Sequence, residues 1–143
     1  MESIISRPNP DPNKTFTFPV RVYYEDTDAG GIIYHANFLK FAERARTEWL
    51  RATPYPHERV RAEHKLLLVV RHIEIDYRAP GKLDDMLEVR SSLDGIGNSS
   101  LTLKQDVWRG DTLLAALKVV IVAINEAGKP ARLPPQLRQV LGA

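Results

Sequence analysis

Residues 23–51 read YYEDTDAGGIIYHANFLKFAERARTEWLR and combine two aspartates, a glycine pair, a histidine and a helical pattern in one continuous run. In its second half, apolar side chains recur at helical spacing: Phe38, Phe41, Ala42, Ala45 and Trp49. This spacing is typical of a helix that buries one face. Before the run, apolar and polar residues alternate from Phe16 to Tyr24, which predicts a strand with one buried face. The stretch therefore predicts a strand, a loop at 25–36 and a long helix.

The loop carries Asp26 and Asp28 just ahead of Gly30 and Gly31. Carboxylates placed before a helix lie near its positive end, where free N–H groups favour anionic or carbonyl oxygens. Each residue also has an ordinary structural interpretation: an aspartate forms an Asx-turn or an N-cap, and a glycine pair forms a turn. The loop residues taken singly leave both interpretations open.

Read as one string, residues 24–38 closely resemble the signature of the hot-dog-fold acyl-CoA thioesterases. Within that family the string is most similar to the YbgC, or Tol-Pal-associated, branch, which is related to 4-hydroxybenzoyl-CoA thioesterase. The resemblance continues through residues 43–48, 69–71 and 77–85. It covers roughly Val20 to Pro134.

The rest of the chain predicts a short helix at His57 to His64, four further strands, and a short helix after Pro134 and Pro135. Short turns between successive strands favour an antiparallel sheet. A single amphipathic helix has to bury its stripe on that sheet, so the architecture is α+β. This agrees with the hot-dog fold that the resemblance implies, a curved antiparallel five-stranded sheet wrapped around one long central helix.

Two details of the strands are also predicted. In the strand at 66–78, the alternation places Val69, Ile73, Ile75 and Tyr77 on one face. The apolar run at 113–125 predicts a central strand. The resemblance further implies that protomers pair their sheets edge to edge as homodimers, which commonly assemble into homotetramers as dimers of dimers.

Composition limits the remaining possibilities. The 143 residues, with 43% hydrophobic and 27% charged side chains, predict one globular domain at 16–143 behind a flexible arm at 1–15 that holds three prolines. The absence of cysteine excludes disulfides and a cysteine nucleophile. A net charge of +2 gives no argument for nucleic acid binding, and no apolar run reaches the length of a membrane span. The sequence predicts a cytoplasmic protein without a metal site.

The resemblance assigns the catalytic candidates. The essential carboxylate of the family aligns with Asp28 rather than Asp26, and it acts either as a nucleophile that forms a mixed anhydride or as a general base toward water. The oxyanion donor is expected to be a main-chain N–H at the start of the long helix, where the matching position is His35. The His35 side chain itself either orients water and contacts the acyl group or simply packs.

The expected substrate-binding residues are Gly31, Tyr34 and Arg71. The reaction needs no cofactor, because coenzyme A is part of the substrate. Three functions remain open: hydrolysis of acyl-CoA; hydrolysis of acyl groups on acyl carrier protein, whose acidic surface would suit Lys40, Arg44 and Arg51; and a non-catalytic acyl-thioester binder or Tol-Pal scaffold protein of the cell envelope.

Overall fold

A computed structural model of the chain describes residues 15–141. Residues 1–14 of the predicted arm, and residues 142–143, lie outside the described residues, so the prediction of a flexible arm remains a prediction. The described elements are β1 (Phe16–Arg21), α1 (Asn37–Arg51), α2 (His57–His64), β2 (Leu67–Tyr77), β3 (Met86–Ile96), β4 (Ser100–Arg109), β5 (Thr112–Ile124) and α3 (Pro135–Val140). In this range, no helix is long and apolar enough to cross a membrane.

The five strands form one antiparallel sheet in the order β1-β3-β4-β5-β2. Helix α1 lies on one face of it, and its stripe joins inward-facing strand residues in a single hydrophobic core. The core residues contributed by α1 are Phe38, Phe41, Ala42, Ala45, Trp49 and Leu50. The predicted α+β architecture of a five-stranded antiparallel sheet against one long helix is confirmed. So are the short helices α2 and α3 and the interior position of β5.

Helix α1 stops where local hydrogen bonds replace the helical pattern. The Thr53 hydroxyl donates to the Leu50 carbonyl at 2.7 Å, and Pro54 follows, which disfavours helical geometry at the residue before it. Helix α2 ends at Lys65, whose backbone adopts the left-handed conformation with φ of 56°. β2 begins two residues after Lys65, at Leu67.

Strand β1 is shorter than the alternation predicted, because the chain leaves β3 after Arg21. Val22 instead exchanges backbone hydrogen bonds with the loop before β3, accepting from the Asp84 N–H and donating to the Asp85 carbonyl, both at 2.9 Å. A single 3-10 turn at Tyr24–Asp26 follows. The alternation is therefore real, but it ends in a turn that starts the loop before α1.

The predicted facing of β2 is wrong for Val69. The register against β5 shifts between Val70 and His72, so Arg71 is the extra residue of a β-bulge. A bulge reverses the alternation, and the inward residues are Leu68 and Val70 before it but Ile73, Ile75 and Tyr77 after it. Val69 faces outward opposite Val122. Periodicity alone cannot reveal an inserted residue in an apolar run.

A buried polar network lies between α1 and the sheet. Gln105 of β4 is fully buried, and its Nε2 donates to the Ala42 carbonyl at 3.0 Å and to Ser91 Oγ at 2.9 Å. Its Oε1 accepts from the Arg46 guanidinium at 3.0 Å. Burial lowers the pKa of Arg46, while nearby Glu43 acts in the opposite direction. Gln105 thus fixes the height and rotation of α1 above the sheet.

Substitution of Gln105 by Leu tests this network. We expect the free energy of unfolding to fall by about 2 to 4 kcal/mol, because a buried guanidinium loses its acceptor. The double variant R46M/Q105L should recover part of that loss, since it removes the orphaned charge as well. Urea denaturation of the two single variants and the double variant measures the coupling, and strictly additive losses would contradict the prediction.

Candidate active site

Asp28 opens a tight hairpin turn at the tip of the loop. The Gly31 N–H donates to the Asp28 carbonyl at 3.0 Å, and the Asp28 N–H donates to the Ile32 carbonyl at 2.9 Å. Gly31 has φ of +81°, a conformation that a residue with a side chain rarely adopts. One Asp28 carboxylate oxygen accepts the Gly30 N–H at 2.8 Å, which is an Asx-turn, and the side chain is exposed. The turn therefore fixes the carboxylate without burying it.

Asp26 has the opposite environment. It is only 4% exposed, and its two carboxylate oxygens accept the Tyr23 N–H at 2.8 Å and the Asn37 side-chain amide at 2.9 Å. Its backbone carbonyl accepts the Tyr34 N–H at 2.9 Å. Asp26 therefore ties both ends of the loop together and anchors the first residue of α1. Of the two aspartates, Asp26 has the structural role and Asp28 is the one available to a ligand.

The start of α1 is left uncapped. Its N-cap residue, Ala36, offers no side-chain acceptor, and the first turn contains no acidic residue. Among acceptors in residues 15–141, none receives the N–H of His35, Ala36 or Phe38. Free N–H groups at a helix start carry partial positive charge and bind anionic or carbonyl oxygens. This end of α1 can therefore hold an oxyanion.

Aromatic side chains surround these free amides. The His35 ring is exposed and packs against Tyr34, with 4.5 Å between the ring centroids. Tyr77, from the end of β2, donates its hydroxyl to the His35 carbonyl at 2.8 Å and packs edge-on against Phe38. Burial raises the pKa of Tyr77 above its ordinary value of 10.0. The loop at 25–36, the start of α1 and the end of β2 thus meet at one corner of the protomer, which we call the Asp28 corner.

The loop between β2 and β3 supports the hairpin that carries Asp28. The Ile33 N–H donates to the Gly81 carbonyl at 2.9 Å, and Ile32 bridges to Lys82. Gly81 is buried so closely that a Cβ placed there would lie 2.3 Å from Ile33 Cδ1. Arg109 holds this loop by donating to the Pro80 carbonyl and the Asp85 carboxylate, both at 3.0 Å. The candidate site therefore rests on residues far away in sequence.

The structure brings four of the five predicted site residues to this corner, namely Asp28, Gly31, Tyr34 and His35. Arg71 lies elsewhere, exposed at the bulge of β2. It is six positions from Tyr77 in sequence, or about 20 Å along the strand. Within one protomer Arg71 therefore does not contact the corner.

An apolar cavity of about 260 Å³ opens farther along the groove between α1 and β2. Trp49, Leu68 and Leu103 contribute to its walls, and Glu43, Arg46 and His57 add polar groups. Burial lowers the pKa of His57, and the positive charges of Arg46 and Arg51 lower it further. By the rise of a helix, the cavity lies roughly 10 to 21 Å from Ala36.

The sequence reasoning missed three residues with a role at this corner. The sequence predicts no role for Asn37 beyond following the loop at 25–36, and it predicts only that Tyr77 shares one face of a strand. Gly81 carries no predicted role of its own. A signal for Gly81 and Tyr77 was present in the YRAPGKLDD segment, residues 77–85, that takes part in the family resemblance. No pattern in the sequence connects Asn37 to Asp26 eleven residues earlier.

Within residues 15–141, no three potential metal ligands cluster.

Matched substitutions should separate the two aspartates by stability. Asp26→Asn removes one acceptor from a buried pair of hydrogen bonds, so we expect unfolding to become easier by about 1 to 3 kcal/mol. Asp28→Asn retains an oxygen that can accept the Gly30 N–H at an exposed position, so its effect should stay within about 0.5 kcal/mol. Thermal and urea denaturation provide the comparison, and equal losses in the two variants would contradict the assigned roles.

Comparison with known proteins agrees with this architecture. The sequence profile of the thioesterase-like superfamily matches residues 22–141. The acyl-CoA thioesterase YbgC of Haemophilus influenzae is 42% identical over 125 residues, which cover 86% of this chain and 91% of that protein. The acyl-CoA thioester hydrolase YbgC of Escherichia coli is 42% identical over 124 residues, covering 85% and 92%.

Solved structures show the same fold. The crystal structure of the "Probable Thioesterase from Bartonella henselae" superposes with a TM-score of 0.80 at 36% identity, covering 84% of this chain and 99% of that one. The sheet order, the single long helix and the sequence match therefore agree. The chain belongs to the thioesterase-like superfamily and has its hot-dog fold.

Proposed function

We propose that the protein is an acyl-CoA thioesterase that hydrolyses its substrate to a free acid and coenzyme A, with Asp28 as the catalytic carboxylate. Membership of the superfamily, and relatives at 42% identity named as an acyl-CoA thioesterase and an acyl-CoA thioester hydrolase, support thioester hydrolysis as the activity of this chain. The observation that carries the proposal is the exposed Asp28 carboxylate on the same loop as the free N–H groups that open α1.

The site has two parts, the free amides at the start of α1 and the Asp28 carboxylate, and each has its own role in the reaction. The thioester carbonyl oxygen accepts hydrogen bonds from the free amides at the start of α1, which stabilise the negative charge that develops there. Asp28 then attacks the carbonyl carbon to give a mixed anhydride, or it removes a proton from the attacking water. On the first path, water then hydrolyses the anhydride, which releases the free acid and regenerates Asp28. On the second path, the activated water adds to the carbonyl carbon directly. On both paths the C–S bond breaks and the leaving thiolate takes up a proton, from solvent on the first path and from Asp28 on the second. Neither path uses a metal or a separate cofactor.

The uncharged Gly31 and the aromatic Tyr34 flank the two halves of the site. Gly31 keeps the turn free of a side chain beside Asp28, which leaves room for the thioester. Tyr34 lies against the His35 ring and offers an exposed aromatic surface to the substrate. We assign the His35 main-chain N–H to the oxyanion site and its ring to contact with the substrate.

Replacement of one Asp28 carboxylate oxygen by an amide nitrogen tests the catalytic role of this residue. In Asp28→Asn, hydrolysis of an acyl-CoA panel of graded chain length should fall by about 100- to 10,000-fold, because the amide is neither a nucleophile nor a base. Release of free thiol is the readout. Asp26→Asn is the matched control, and its folded fraction should lose less activity. A reversed ranking of the two variants would show that the catalytic carboxylate is Asp26.

We further propose that two protomers pair through the free edge of β2. β2 is eleven residues long and stands last in the strand order, so its outer edge has no strand partner among the described residues and is a surface for association. In an isologous antiparallel pair, the Leu68–Val70 end of one strand lies beside the Tyr77 end of the other. The apolar cavity and Arg71 of one protomer then serve the Asp28 corner of its partner. Arg71 is the candidate for coenzyme A phosphate, and two dimers form the predicted tetramer.

Mixed dimers test this shared site. Leu68→Trp fills the cavity, and we expect it to abolish activity while Asp28 remains intact. Subunits of this variant mixed with subunits of Asp28→Asn should recover about one quarter of wild-type activity, since half of the dimers are mixed and each carries one complete site. Size-exclusion chromatography confirms that both variants remain dimers. No recovery from dimeric variants would place the cavity and Asp28 of one site in the same protomer.

A second candidate substrate is an acyl group carried by acyl carrier protein. Lys40 and Arg44 are exposed on the outer side of α1 and form no ion pair within residues 15–141, so they can meet an acidic partner. Arg51 is exposed but already paired with Glu48. Hydrolysis rates for the same acyl group on the two carriers distinguish the candidates. The non-catalytic scaffold is disfavoured because the compared relatives are named as hydrolases. A cytoplasmic location stays a prediction.

A further inference from the structure

The Tyr77 hydroxyl contacts the candidate oxyanion site at the carbonyl of His35 and leaves the free N–H groups of the site available to the substrate. We propose that Tyr77 is a positioning residue, which holds the His35–Ala36 peptide so that the Ala36 N–H faces the thioester oxygen beside the His35 N–H. The inference rests on the proposed function. It begins with the 2.8 Å hydrogen bond from the Tyr77 hydroxyl to the His35 carbonyl.

The geometry of a peptide unit turns this hydrogen bond into control of an N–H group. A trans peptide is planar, and its C=O and N–H point in opposite directions. The carbonyl of His35 and the N–H of Ala36 belong to one such unit, and no peptide bond in residues 15–141 is cis. Fixing the carbonyl therefore fixes the direction of the Ala36 N–H, which has no acceptor among the described residues.

The neighbouring peptides are held in other ways. The Tyr34 N–H donates to the Asp26 carbonyl at 2.9 Å, and the Asn37 N–H donates to the Tyr34 carbonyl at 2.8 Å. The Ala36 carbonyl accepts the Leu39 N–H at 3.1 Å. These bonds close the loop onto the helix on both sides of the His35–Ala36 unit. The unit between them depends on a side chain from another element of the fold.

Tyr77 is a rigid support for this contact. Its backbone pairs with Ala115 in β5, and its ring packs edge-on against Phe38, with the centroids 5.7 Å apart. The Tyr77 hydroxyl keeps its proton at neutral pH and remains a donor, since the ordinary pKa of tyrosine is about 10 and burial raises the pKa of Tyr77 further. Sites held by strands and helices are positioned more accurately than those on loops alone.

The same hydrogen bond also strengthens the free N–H. When a carbonyl accepts a hydrogen bond, the amide becomes more polarised, and its own N–H becomes a stronger donor by about 10–30%. The effect matters most when negative charge develops on the thioester oxygen, because a donor aimed at that charge stabilises the transition state more than the bound substrate. Tyr77 should therefore influence kcat much more than KM.

Tyr77→Phe tests the proposal with little change in packing, since the ring is retained and only the hydroxyl is removed. We expect kcat to fall by about 10- to 100-fold with KM changed by less than about 3-fold. Tyr55→Phe is the matched control, because the Tyr55 hydroxyl forms no hydrogen bond within the described part of the chain and the residue lies beyond the far end of α1. Its kcat should equal that of the wild type.

A second measurement separates positioning from general stability. In protein labelled with ¹⁵N-alanine, the Ala36 amide resonance should shift in Tyr77→Phe while the resonances of Ala42 and Ala45 in the same helix stay in place. Loss of activity in proportion to unfolded protein, or a rise in KM at constant kcat, would overturn the positioning role. So would full activity in Tyr77→Phe when Asp28→Asn is inactive. If the wild type hydrolyses no thioester, the proposed function itself fails.

Discussion

The hydrogen bonds of the buried Asp26 carboxylate are the interaction on which the rest of the site depends. They join the Tyr23 N–H, two residues after β1, to the Asn37 side chain at the start of α1. A buried carboxylate is unfavourable unless hydrogen bonds satisfy it, so these partners are required once the group is enclosed. The loop between them is closed at its base, and its tip, with Asp28, is free to face a ligand.

The start of α1 has no side-chain cap, which leaves its N–H groups free for an oxyanion. A side-chain cap at position 36 would stabilise α1 by about 1 kcal/mol, but it would also occupy the amides that an oxyanion needs. Alanine stands there instead, and α1 is held by its buried stripe and by Gln105 below it. The protein thus keeps an unsatisfied helix end at the site and places the compensating contacts elsewhere in the fold.

Strand β2 combines two roles that conflict in a monomer. Its inner face supplies Tyr77 to the helix start, while one of its edges has no strand partner among the described residues. Such an edge favours association with another strand. The bulge at Arg71 matters in both respects, because it reverses the facing of the strand and separates its cavity-lining half from the half that reaches the site. Pairing of two copies would satisfy the edge and complete the substrate groove together.

Much of this molecule was determined by local sequence. The helical stripe from Phe38 to Trp49, the alternating strands and the glycine at Gly31 act over a few residues, and each produced the element that it predicted. The string at 24–38 also located the loop and distinguished Asp28 by its resemblance to the family. Tertiary structure decided the rest, since the burial of Asp26, the support from Gly81 and the contact of Tyr77 with His35 join residues 11 to 48 positions apart in the chain. Tertiary structure also decided which way Val69 faces. A bulge depends on how two strands pair, so the periodicity of one strand does not reveal it.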